Sequence, residues 1–444
     1  MSLSIKMESK KVYAMIILSM LYACFILSFP KIDLVTSSLC IIMGCFYISI
    51  VLFVKDLFSP WGFLFIYQFL GYIDLTMVTI GISSGKVRYE SIIYTISFFI
   101  MLVWSLAFSI GNNQVWKFST CIKSIKKTRY NGNNVNVYII LIPCVIIYIY
   151  ALYSAVITSY SLGGLYQGML GGGKAFADQG YLMQLLALAG IIPVIYLYKG
   201  KRKKSIILMI MICVGILLTG RRSLAITTAV IPFLVYWNNK ISKINFKKVL
   251  LLSFPVIVII LLIGGIRTSQ ETGFSDMNTN SIILSNIALL GKYNGYGSNI
   301  PAMINELYTE NIDFQYFKYS LRGLEYLIPR SIWENKPLVH SSDIISNMIF
   351  FSGDVGRPVG PYGWAYFNFG MVGVFLSGLF TGQIAKRFYF WAIQQGSLLS
   401  LSCYGMLILS VLEIFQPEAQ MRIILFSIIY YLMYILSGKI KIKI

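Results

Sequence analysis

Charge is scarce in this 444-residue sequence. Only 12% of the residues are Asp, Glu, Lys or Arg, about half the roughly 25% of an average soluble domain. Acids are the rarer sign, 17 against 37 basic residues, and there is one histidine and only seven cysteines. Each shortage excludes something. A chain that is 57% apolar, with mean hydropathy +0.72, cannot solvate a globular surface and is too apolar to stay disordered. With His340 alone, no histidine-based metal cluster can form. Cys24, Cys40, Cys45, Cys144, Cys213 and Cys403 fall in apolar runs and Cys121 in a predicted inner loop, so no disulfide framework is expected outside. The first apolar run, 12–29, is long enough to span and has no small-residue cleavage site after it, so it is not read as a removable signal peptide. The composition left is that of an all-α, polytopic transmembrane protein, with 31 Tyr and 29 Phe suited to many interfacial edges.

A spanning helix needs about 20 apolar residues. Twelve runs are read as spans: 12–29, 33–54, 61–82, 91–110, 136–158, 181–198, 205–219, 223–237, 248–266, 362–384, 397–414 and 421–437. The seventh and eighth are short and form a hairpin around Thr219-Gly220-Arg221-Arg222. With both termini in the cytoplasm, 23 of the 37 basic residues lie in inner segments. Seven of the other 14 sit in one long outer loop, so the short outer loops carry little positive charge. Basic residues concentrate on the cytoplasmic side, which accounts for the excess without nucleic acid. The chain thus divides into nine spans over 1–266, an extracytoplasmic loop at 267–361 and three spans over 362–444.

That loop is the unusual part. Long loops are usually functional, and this one holds nine acidic and seven basic residues with Tyr319, Tyr326, Trp333, Phe350 and Phe351 among them. Short helices are predicted at Ser281 to Lys292, at Pro301 to Tyr308 with Pro301 in its first turn, at Lys318 to Ile328, and at Asp343 to Phe351. The third would place Leu321, Leu324, Leu327 and Ile328 on one face, with Arg322 and Glu325 on its flank. Arg330, Lys336 and His340 follow in irregular chain. Arg forks bind phosphate oxygens in bidentate fashion and aromatic faces such as Trp333 and Tyr326 stack on sugars, so the mixture suits a sugar phosphate.

A second cationic element is Arg221-Arg222, where the eighth span starts with free backbone N–H groups at its outer end, a ready anion site. Gly168 to Lys174 has P-loop spacing, but Ala175 replaces the magnesium-binding Ser or Thr and no strand precedes it, so it is a Gly-rich loop. Only Asp33 lies in the first outer loop, against a metal-dependent paired-aspartate pattern. Asp74 lies within the third span, and Glu413 at the outer end of the eleventh is placed to face the loop's cavity.

The stretch Arg322-Gly-Leu-Glu325-Tyr-Leu-Ile-Pro329-Arg330-Ser-Ile-Trp333-Glu-Asn-Lys336-Pro337 resembles the outer-loop motif of bacterial O-antigen polymerases (Wzy-type). The following Gly363-Trp-Ala-Tyr-Phe-Asn368-Phe-Gly370-Met-Val-Gly373 and the Gly220-Arg221-Arg222-Ser223 turn are similar to theirs, and many spans with one large late outer loop match their layout. The resemblance implies a GT-C-like, metal-independent glycosyltransferase without cofactor in the bacterial cytoplasmic membrane. Its substrate would be an undecaprenyl-pyrophosphate-linked oligosaccharide, and a chain-length regulator and a flippase its partners. Arginines would then stabilise the leaving pyrophosphate, and the acceptor hydroxyl would need a base: Glu325, His340 or Asp343. O-antigen ligases share the layout. A flippase for the same lipid is the rival from another class, but it should show an internal repeat and charges along a central path. The sequence shows no clear repeat, and its outer charges gather in one loop.

Overall fold

The computed structural model describes residues 2–28, 32–54, 56–80, 89–113, 141–146, 148–150, 153, 187–218, 222–242, 296–350 and 357–439, omitting 317, 320, 321, 326, 327, 329–331, 334 and 338. Among the described residues every regular element is helical. The helices α1 (Ser2–Leu27), α2 (Leu34–Phe53), α3 (Pro60–Thr79) and α4 (Ser91–Asn113) occupy the first four predicted spans. Helical residues at 141–146 and 148–150 lie in the fifth. A 3₁₀ turn, Ala187–Gly190, leads into α5 (Ile191–Tyr198), and α6 (Arg202–Leu218) follows. The eighth span is α7 (Arg222–Ala225), a π turn (Ile226–Val230) and α8 (Ile231–Lys240). Pro232, near the start of α8, has no N–H for the preceding turn, a common reason for such a bulge. The ninth predicted span and the Gly168 to Lys174 loop lie outside the described residues. The predicted outer loop, called the outer layer below, contains α9 (Tyr296–Tyr308) and α10 (Ser341–Phe350); α11 (Gly360–Gln395), α12 (Leu398–Leu412) and α13 (Pro417–Lys439) follow. By length and composition α2, α3, α4 and α11 could each cross a bilayer.

Local chemistry sets several of these boundaries. Asp33 caps α2 by accepting from the Thr36 N–H. Ser59 caps α3 ahead of Pro60, and Ser397 with Ser400 forms a reciprocal capping box on α12. Hydrogen bonds join helix ends assigned to the same side. At the predicted inner end, Asp56 accepts from Tyr389 (2.6 Å) and Asn238 (3.1 Å), and Lys386 Nζ reaches Asn113 O (3.4 Å). At the predicted outer end Ser91 Oγ donates to Asp33 Oδ1.

The core is tightest where α4 packs on α11. Gly378 and Gly382, four apart on α11, face Gly111 and its neighbours on α4. A methyl group built on Gly382 would lie 2.2 Å from Phe108 O, and one on Gly111 would lie 2.1 Å from Leu379 O. Small residues let two membrane helices approach backbone to backbone. Trp104 and Phe108 stack beside this seam, both fully buried. Gly382→Leu is therefore expected to cost at least the roughly 1–3 kcal/mol of an overpacked core. Fluorescence size-exclusion of the detergent extract checks this: a strongly reduced monodisperse peak is expected, and a wild-type peak height refutes the packing argument.

At 36 residues, α11 would be about 54 Å long if straight, well beyond a bilayer core of about 30 Å. It breaks at Phe369 (φ −140°, ψ 19°) and Gly370 (φ 59°, ψ −148°). The second conformation is one that glycine adopts without a Cβ penalty. The break removes helical donors from carbonyls just before it, and the outer layer supplies replacements. Gln315 N–H donates to Phe367 O (3.1 Å) and Tyr316 N–H to Asn368 O (3.0 Å).

The outer layer departs from expectation in two places. Pro301 stands inside α9, which begins five residues earlier than predicted, at Tyr296. Lys318 to Ile328 is not an α-helix in its described residues but a series of turns. Arg322 N–H bonds to Tyr319 O, Glu325 N–H to Arg322 O and Ile328 N–H to Glu325 O, all i to i−3. Gly323 lies flat on α13, where a Cβ would come 2.8 Å from Pro417 O. Leu324, expected on the apolar face, is 61% exposed. Tertiary contact overrides the apolar periodicity here. The predicted helix at Ser281 to Lys292 lies outside the described residues.

Candidate active site

Two stretches of the outer layer rest on the first turn of α13. Gly323 abuts Pro417 and Gln420, and Ser341 binds Glu418. Pro417 opens the helix and Glu418 is its first-turn acid, the favoured arrangement at an N-terminus. Glu418 is 5% exposed. Its Oε2 accepts from the Ser341 N–H (3.1 Å) and its Oε1 from Ser341 Oγ (2.5 Å). Oε1 is also 3.5 Å from His340 Nδ1. Ser342 Oγ lies 2.8 Å from the same Nδ1 and 3.4 Å from Asp343 Oδ1. Asp343 thus reaches the histidine through Ser342, and among the described residues the carboxylate that faces the ring at 3.5 Å is Glu418. The sequence reading passed over Glu418 because it stands 77 residues from Ser341, inside a stretch read as the loop before a span. The available signal was Pro-Glu at a helix start.

Arg322 and Glu325 are brought together. The i to i−3 turns place side chains three apart on one side, and Arg322 Nε lies 3.9 Å from Glu325 Oε2. Arg322 also sits over the Tyr319 ring, 4.9 Å from its centroid, with Lys318 Nζ at 5.4 Å. With both partners a quarter to a third exposed, the ion pair contributes little stability, and its use is to orient the fork. Lys336 Nζ donates to Ile328 O (2.7 Å), closing the loop. Trp333 is 36% exposed. Arg222 begins α7; Arg221, Tyr326 and Arg330 lie outside the described residues.

Two further cations escaped the sequence reading. Arg357, just before α11, donates its backbone N–H to Ser342 O (3.0 Å), and its guanidinium stacks on Phe350 at 3.9 Å from the ring centroid. Burial and the nearby Tyr94 and Glu306 push the Tyr89 hydroxyl above its ordinary range, and Arg357 pulls it the other way. Arg422, one turn along α13 from Glu418, lies with Glu418 and His340 in electrostatic reach of Glu413, which accepts from Tyr67 OH. The Nε atoms of Arg357 and Arg422 are buried and have no hydrogen-bond partner among the described residues. The described residues thus bring one imidazole beside the Glu418 carboxylate, with Asp343 linked to it through Ser342 and Arg422 close by.

Comparison with curated proteins and with solved structures returns no match. The family described as O-antigen polysaccharide polymerase Wzy matches residues 11–443. The match includes the outer layer and every described helix except the first residues of α1. The chain belongs to the O-antigen polysaccharide polymerase Wzy family.

Proposed function

We propose that this protein joins polyprenyl-pyrophosphate-linked oligosaccharide repeat units on the outer face of the cytoplasmic membrane, without a metal, for O-antigen or capsule synthesis. The observation that carries this reading is the family match over nearly the whole chain. The donor's bond between the sugar carbon and pyrophosphate oxygen breaks, and a hydroxyl of the incoming unit forms the new glycosidic bond. Arg221, Arg222, Arg322, Arg330 and Lys336 neutralise the departing pyrophosphate. His340 takes the hydroxyl proton, with Asp343 behind it through Ser342; Glu325 stays paired with Arg322. Trp333 and Tyr326 offer faces to the sugars. The polyprenyl tail remains in the bilayer, and twelve spans with both termini inside put the outer layer where such a lipid presents its head group.

The test of activity is a reconstitution with purified protein and the lipid-linked unit extracted from a strain lacking the polymerase, with no other protein present. A ladder of multiples is expected; units that never exceed one per lipid refute polymerase activity and favour a transporter or a ligase.

Topology has its own test. Asn311 is exposed in the outer layer. Asn311→Cys in a cysteine-free background is expected to react with an impermeant maleimide in spheroplasts. Labelling only after permeabilisation would reverse the orientation and remove the site from the outer face.

A further inference from the structure

Beyond the family's reaction, the geometry points to Glu418 as the positioning residue for His340, an inference that rests on the reading of His340 as the base. Three contacts fix the carboxylate: both hydrogen bonds from Ser341, and the 3.5 Å approach to His340 Nδ1. A buried charge is retained at a cost unless it is well partnered, and Glu418 is 5% exposed. Its placement also selects a tautomer. Ser342 can direct its proton to Asp343 Oδ1 and accept from Nδ1–H. A carboxylate beside Nδ1 favours that same N–H, so Nε2 carries the lone pair. When Nε2 takes the acceptor's proton, the ring becomes an imidazolium and the Glu418 charge offsets it, as the acid behind a catalytic histidine does in hydrolases. Glu418 touches no reacting atom and acts through the ring. Among the described residues, the charged groups around the pair include Asp343 from α10, Glu413 from the turn before α13 and Arg422 from α13 itself.

The single histidine of the chain makes this testable without substrate. Diethyl pyrocarbonate modifies unprotonated imidazole, and in untagged protein the absorbance change reports His340 alone. Glu418→Gln keeps the size and an acceptor oxygen for Ser341 but removes the charge. At one fixed pH its modification rate is expected to differ several-fold from wild type, because the charge that faces Nδ1 is gone. With the extracted lipid-linked unit, kcat is expected to fall by at least about tenfold, in the direction of the roughly 10⁴-fold seen when a catalytic histidine loses its acid, with KM held. Glu418→Asp, which keeps the charge, is expected to recover part of kcat. Modification of Glu418→Gln at the wild-type rate overturns the pairing whatever the kinetics. Wild-type kcat in Glu418→Gln overturns its use in the reaction, as does a loss that appears in KM alone. Failure of the wild-type protein to extend any unit would sink the polymerase reading separately, and the modification rates would still decide the pairing.

Discussion

Replacing His340 by Ala is expected to lower polymerisation by about 10²–10⁴-fold, the usual contribution of a positioned base, while binding of the lipid-linked unit is unchanged. The expectation rests on position as much as on residue type. The ring is held at Nδ1 by Ser342 and faced by Glu418, so its orientation is fixed by groups from two elements, α10 and α13. Glycan ladders from a deletion strain complemented with the variant, beside a binding measurement on purified protein, separate chemistry from binding. Wild-type ladders from His340→Ala would assign the proton to a carboxylate of the outer layer instead.

Arg322→Lys is expected to lose most of the polymerisation, on the order of 10²-fold, the scale of removing one donor from a site that stabilises developing negative charge. Lysine keeps the charge but not the planar fork. That fork is set by Glu325 on one side and by the Tyr319 ring beneath it, and an ammonium group would satisfy neither geometry. The same replacement at Arg330 is expected to act in the same direction. Amounts in the membrane should stay normal, because a partly exposed ion pair contributes little to stability. Full-length ladders from Arg322→Lys would take this arginine out of the pyrophosphate site.

The apolar runs located several of the described helices. Length alone reveals a helix that must cross about 30 Å of hydrocarbon, and α2, α3, α4 and α12 begin or end within a few residues of the runs that announced them. The outer layer was less legible because its form is set by what it lies on. The leucines between Lys318 and Ile328 have helical spacing, yet Gly323 is pressed onto Pro417 and Gln420, and the chain turns with i to i−3 bonds instead. Arg322, Glu325, His340 and Asp343 were visible as chemistry in a loop with more charge than its surroundings. Glu418 was not, since it lies between the predicted spans 397–414 and 421–437 and only the fold brings Ser341 to it. Arg357 was similarly hidden, its cation–π contact with Phe350 depending on how α10 and α11 meet. The Gly363 to Gly373 motif marked a place without saying why, and Gly370 supplies the reason through its positive φ.

The break in α11 also bears on which parts of such proteins can be exchanged. The carbonyls of Phe367 and Asn368 are completed by Gln315 and Tyr316, and the Phe314 ring lies 3.5 Å from where a Gly370 side chain would begin. Outer layer and membrane helix are thus cut to one another. A chimera that imports a relative's outer loop but keeps the host's α11 would leave backbone acceptors stranded at the membrane surface. A graft ending beyond Gly373 carries both halves of the joint. Specificity would then move between relatives in blocks that include the first third of this helix, and crossover points within 315–370 should be poorly tolerated.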